Sequence, residues 1–121
     1  MVHMKEEERD AIQSAVSTMT YYLQGDLEDL AVIGSEEEVS GLESMIQELN
    51  QINRRPLTLE AFQDFYLSFR QAAIECREDF NQITKVSSVP DDLESLERAE
   101  DKVRKGLEAL ECVKNRLITE K

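Results

Sequence analysis

Residues 59–83 read LEAFQDFYLSFRQAAIECREDFNQI, and within them Leu59, Phe62, Tyr66, Phe69, Ala73, Cys76, Phe80 and Ile83 recur at alternating spacings of three and four. An α-helix turns about 100° per residue, so this rhythm sets all eight side chains along one seam, as a and d positions that other helices must cover. The stretch therefore predicts a long helix packed in a helical assembly.

The flanks agree with that reading. Thr58 sits where an N-cap belongs, and Leu57 is placed to pack on Phe62 across the first turn. The helix is expected to end near Thr84 or Lys85, in a loop running through Val86, Ser87, Ser88, Val89 and Pro90. Beyond it, Ser88, Asp91 or Asp92 is expected to cap a last helix that turns Leu93, Leu96, Ala99, Val103, Leu107, Leu110 and Leu117 inward. Upstream, a helix over about 36–53 buries Val39, Leu42, Met45, Ile46 and Leu49, and is expected to stop at Arg54, Arg55 and Pro56. Ser35 with Glu38 forms a capping box for that segment, after a stop at Gly34. The first helix runs from about Lys5 to Ile33. Ile12, Ala15, Val16, Met19, Tyr22, Leu23, Leu27, Leu30 and Ile33 share one face whose phase passes Gly25 without slipping.

Four amphipathic segments with short connections predict an all-α fold, an antiparallel up-down four-helix bundle whose second helix is shorter than the rest. The short helix should leave one end of the bundle incompletely covered. Residues 4–121 are expected to form a single domain, since 121 residues can bury a core without disulfides or metal. The opening Met1, Val2 and His3 are expected to be a disordered remnant of a cloning site.

Composition narrows the class. Apolar residues at 40% and charged residues at 33% fit a globular chain, and 4 glycines, 2 prolines and no tryptophan give little punctuation for a many-stranded β fold. No apolar run approaches a membrane span or a secretion signal, so the expected location is cytoplasmic and no membrane partner is expected. The formal net charge of −12 repels phosphate, which argues against nucleic-acid binding. Residues 1–34 hold seven acids against two bases. Many of the acids, such as Glu6 to Glu8 and Glu36 to Glu38, lie at predicted helix N-termini, where they complement the macrodipole.

Catalytic and cofactor chemistry find no specific set of residues to nominate, since the 26 carboxylates that could do acid-base work are scattered over helical surfaces. Two cysteines and one terminal histidine cannot assemble a structural zinc site, the Glu-x-x-His pattern of di-iron bundles is absent, and no glycine-rich phosphate loop occurs. Nucleophilic triads lack their base, so the expectation is a non-enzymatic protein without cofactor or metal. Cys76 falls on the core seam and Cys112 opposite the buried side of the last helix, so the two should remain unpaired thiols.

The candidates for a binding surface are Leu67, Arg70, Ile74 and Arg77, a lateral strip outside the seam, together with Tyr21 and Val32, which project away from the apolar face of the first helix. The strip either touches a neighbouring helix or forms an apolar groove with an arginine rim. Asp26 intrudes into the apolar stripe and should cap a bend, meet a cation such as Arg98 or Lys102, or reach water. Lys114 intrudes similarly on the last helix, where its stem can snorkel. The expected function is a helical adaptor or chaperone-like module that binds another protein through an apolar helix face, with a homodimer as a further expected use of that face. The competing expectation is an acidic decoy, inhibitor or antitoxin-like protein that binds a basic or nucleic-acid-binding protein.

Overall fold

The computed structural model describes residues 2–53 and 57–119, and the helix stop expected at Arg54, Arg55 and Pro56 lies outside them. Its elements are α1 (Glu6–Ile33), α2 (Glu36–Leu49), a 3-10 turn (Asn50–Asn53), α3 (Leu59–Val86) and α4 (Pro90–Thr119). Among the described residues there are four α-helices and no strand, and the helices pack as a bundle in which α2 is the short member.

Local chemistry accounts for the boundaries. The Lys5 N–H donates to Glu8 Oε1 at 2.9 Å, the Glu38 N–H to Ser35 Oγ at 3.2 Å, and the Ala61 N–H to Thr58 Oγ1 at 3.1 Å, so three helix starts each satisfy an otherwise orphaned amide. α4 begins differently from the expectation. Its first residue is Pro90, whose fixed φ and missing N–H suit that position, so the cap falls on Val89 rather than on Ser88, Asp91 or Asp92. The Ser87 hydroxyl organises the turn, accepting from the Val89 N–H and donating to Asp92. α1 stops at Gly34, whose backbone is extended at φ −92° and whose N–H reaches the Leu30 carbonyl at 2.7 Å.

Side-chain pairs fix the relative directions. Glu8 meets Arg116, and Ala15 faces Gly106, so α1 and α4 run in opposite senses along the most extensive interface of the molecule. The Cys76 thiol approaches the Met19 carbonyl at 3.8 Å, and the Tyr22 and Phe80 rings meet edge to face with centroids 4.9 Å apart, so α1 and α3 run in the same sense. The core comprises Ile12, Ala15, Val16, Met19 and Leu23 of α1, Leu42, Ile46 and Leu49 of α2, the aromatic seam of α3, and Leu96, Ala99, Val103, Leu110 and Val113 of α4.

Three core assignments are corrected. The buried face of α3 is wider than the seam and includes Phe65 and Ala72, while Leu59, on the first turn, is 42% exposed. Gly106 is buried where Leu107 was expected to be, with Leu107 only partly covered. Ile33 is 82% exposed because α1 ends there, past the cover that the other described helices supply. Val2, expected to belong to a disordered leader, is instead buried and donates its N–H to the Leu57 carbonyl at 2.8 Å.

That N-terminal corner is closed by Arg116, which forms a two-pronged ion pair with Glu8 at 2.7 and 3.0 Å and donates to the His3 carbonyl at 3.0 Å. Hydrogen bonds from Arg116 hold the Glu8 carboxyl below its ordinary range against the opposing effect of burial. Folding thus favours ionised Glu8, so its stabilisation is present above the ordinary carboxyl range and is lost as pH falls through the depressed native value. Glu8→Gln should cost on the order of 1–2 kcal/mol at neutral pH. Urea unfolding of both proteins should show the gap closing as pH falls below the ordinary carboxyl range, where wild-type Glu8 takes up its proton.

Candidate functional site

The strip expected from sequence lies on the face shared by α3 and α4, and its apolar members are open. Leu67 is 66% and Ile74 53% exposed, so neither is absorbed into helix packing. Their spacing of seven keeps them on one side of α3, with Arg70 and Arg77 following the same line.

Two grooves run along this face. One, of about 550 Å³, is floored by Ala73, Phe80, Val103 and Leu107. Arg70, Ile74 and Arg77 form its α3 wall, and Glu97, Glu100, Asp101 and Arg104 its α4 wall. Asp101 is engaged with Arg104 and with Lys105, at 2.9 Å from the latter. The second groove, of about 430 Å³, joins Leu59, Leu67 and Ile118 over Phe62 and Leu117. Here the lining is the more apolar in proportion, because the start of α3 and the end of α4 both carry aliphatic side chains that the other described elements leave open. Sequence reasoning placed Leu59 in the core and did not single out Ile118. The signal it could have used is that a seam loses its cover at helix ends.

Tyr66 holds the polar edge between the grooves. Its hydroxyl donates to Glu111 Oε1 and lies 3.3 Å from Lys114 Nζ, and that ammonium sits 4.6 Å from the ring centroid. Arg70 approaches the same ring at 5.8 Å. Lys114, the intruder on α4, is therefore kept half-buried by a cation–π contact and a hydrogen bond. Tyr21 and Val32 are exposed as expected, but they lie on α1 and line neither groove, so the structure does not join them to the Leu67 and Ile74 strip.

A third depression, of about 500 Å³, lies between α1, α2 and α3, where Asp26 and Asp29 face Glu37, Glu38, Glu75 and Asp79. Of the alternatives expected for Asp26, a bend cap, a cation or water, the cation is not met among the described residues. Arg98 instead pairs with Glu94 of its own helix at 2.9 Å, and no lysine or arginine among the described residues lines the depression. Asp26 faces Asp79, whose carboxyl is pushed up to about 8 by burial first and by Asp26 second. Among the described residues no three carboxylate, cysteine or histidine side chains are grouped so as to hold a metal ion. Cys76, behind this depression, is a buried thiol pushed up to about 12 by burial, which makes it a packing group and not a nucleophile. Cys112 is exposed and unpaired.

Among the described residues no helix is long and apolar enough to cross a membrane. No protein-family model, curated protein or solved structure matches this chain.

Proposed function

We propose that this protein is a non-enzymatic adaptor or chaperone-like module that binds a helical segment of another protein along the α3–α4 face. The supporting observation is that Leu59, Leu67, Ile74 and Ile118 are all exposed on that face beside two grooves. Apolar side chains gathered in this way gain free energy when a partner covers them, at roughly 25 cal/mol per Å² of apolar surface buried. An amphipathic helix fits a groove between two helices, with its apolar stripe on Ile74 and Leu67. The basic wall of Arg70 and Arg77 and the acidic wall of Glu97 and Glu100 would fix its direction through charges of both signs.

The test is selection of binders from displayed peptides that tile the host's proteins, followed by affinity measurement on the Leu67→Ser, Ile74→Ser double variant. Loss of about 2 kcal/mol of apolar burial corresponds to roughly 30-fold weaker binding, with helicity and melting temperature unchanged because both residues are exposed. Equal affinity of wild type and double variant would rule out this face. The second reading, an acidic decoy for a basic or nucleic-acid-binding protein, is supported by the net charge of −12. Under that reading affinity falls steeply between about 0.01 and 0.1 M salt, as the screening length shrinks from roughly 30 to 10 Å, whereas the apolar face predicts a shallow dependence.

A further inference from the structure

We propose that Asp26 and Asp79 form a carboxyl pair sharing one proton, which fastens α1 to α3 beneath the start of α2 and makes that corner of the bundle open as the solution becomes alkaline. The inference stands apart from the proposed binding face.

Asp26 and Asp79 line one depression, and their placement there calls for a proton between them. Asp79 Oδ2 is enclosed and receives no hydrogen bond from any described donor, yet the Asp79 carboxyl is in hydrogen-bonding reach of Asp26. Two ionised carboxylates can only accept, so this contact is repulsive unless one of them carries a hydrogen. With Asp79 protonated, its O–H donates to Asp26 and the enclosed oxygen is no longer an unpaired charge. The surroundings favour that form. Asp29 on α1, Glu37 and Glu38 on α2, and Glu75 on α3 line the same depression, Glu78 adds its negative charge to Asp79, and the Cys76 thiol behind it stays neutral. No described cation faces the pair.

The direction of the pH effect follows from linkage. Asp79 holds its proton up to about 8 in the folded corner, but in an opened corner it returns to the ordinary carboxyl value of about 3.9. Opening therefore releases a proton throughout the interval between those values. The stabilisation is complete below the ordinary value, declines as pH rises, and is gone once pH passes the folded value.

Three measurements on the full chain decide it. Carboxyl-carbon NMR should show Asp79 titrating more than about two pH units above the ordinary carboxyl value of about 3.9, and Asp26→Asn should bring it down by about two units, because the introduced amide donates to an ionised Asp79. Hydrogen exchange of α2 amides, corrected for the intrinsic base-catalysed rate, should show opening increase by up to tenfold per pH unit between about pH 5 and 8 and then level off. Asp79→Asn should flatten that rise. Titration of Asp79 below about pH 5 would overturn the proposal, as would equal exchange profiles in wild type and Asp79→Asn. If Asp79→Asn does not fold, the wild-type carbon titration decides alone.

Discussion

Phe69→Ala is expected to lower the unfolding free energy by about 3–5 kcal/mol, against a total of about 5–15 kcal/mol for a domain of ordinary stability. Phe69 is fully buried, its ring centroid lies 6.0 Å from that of Phe65, and it occupies the middle of the aromatic seam on α3. Its Cζ also approaches Gly106 on α4, so the ring reaches the neighbouring helix at the position where that helix has no side chain. Removing the ring would forfeit its transfer free energy and leave a cavity that residues on three helices cannot close without shifting their axes. Urea unfolding of Phe69→Ala beside Leu67→Ala is the informative comparison. Leu67, two residues away and exposed, should cost no more than about 0.5 kcal/mol as alanine. Similar losses for the two variants would mean that the seam is not the centre of the core.

The same stretch shows how far periodicity reaches. Spacings of three and four located all four helices and the short α2, because each apolar stripe must face the interior wherever the partners lie. Period alone does not give the width of the covered face. Phe65 and Ala72 stand one position off the a and d register, and they are buried because a globular bundle surrounds α3 on more than one side. Nor does period say where cover ends. Leu59 and Ile33 keep perfect phase yet lie on terminal turns that the described neighbours leave exposed.

The candidate binding strip was legible in part for the same reason. Leu67 and Ile74 could be placed off the seam by spacing, but their exposure depends on how closely α4 approaches α3, a tertiary fact absent from either helix alone. The acidic depression was not legible. Asp26 could be recognised as a polar intruder, and the physical expectation for a buried carboxylate is a cation. What meets it is Asp79, from a helix remote in sequence, and a shared proton supplies what a cation would have supplied. Two facing acids stay invisible until topology brings their helices together, because each reads separately as an ordinary solvated charge.

Gly106→Ala tests the contact that determines this topology, and it should destabilise the protein by about 1–3 kcal/mol even though alanine is the better helix former by about 1 kcal/mol. The phase Leu96, Ala99, Val103, Gly106, Leu110 and Val113 runs through the glycine without a break, and Gly106 is buried against α1. A Cβ placed there would fall inside contact distance of Ala15 Cβ, 3.0 Å from the Ala11 carbonyl oxygen and 3.3 Å from Phe69 Cζ. Neither Ala15 nor a backbone carbonyl can rotate out of the way, so α1 and α4 would have to separate along their whole interface. Gly25→Ala is the matched control, since its Cβ would meet nothing within 4 Å, and it should stabilise by about 0.5–1 kcal/mol. Ala15→Gly costs about 1 kcal/mol alone but should restore part of the stability lost in Gly106→Ala, giving a coupling energy of about 1 kcal/mol or more in the double-mutant cycle. Additive losses would show that the two helices are not held at the distance the glycine permits, and the pairing of α1 with α4 would then need another cause.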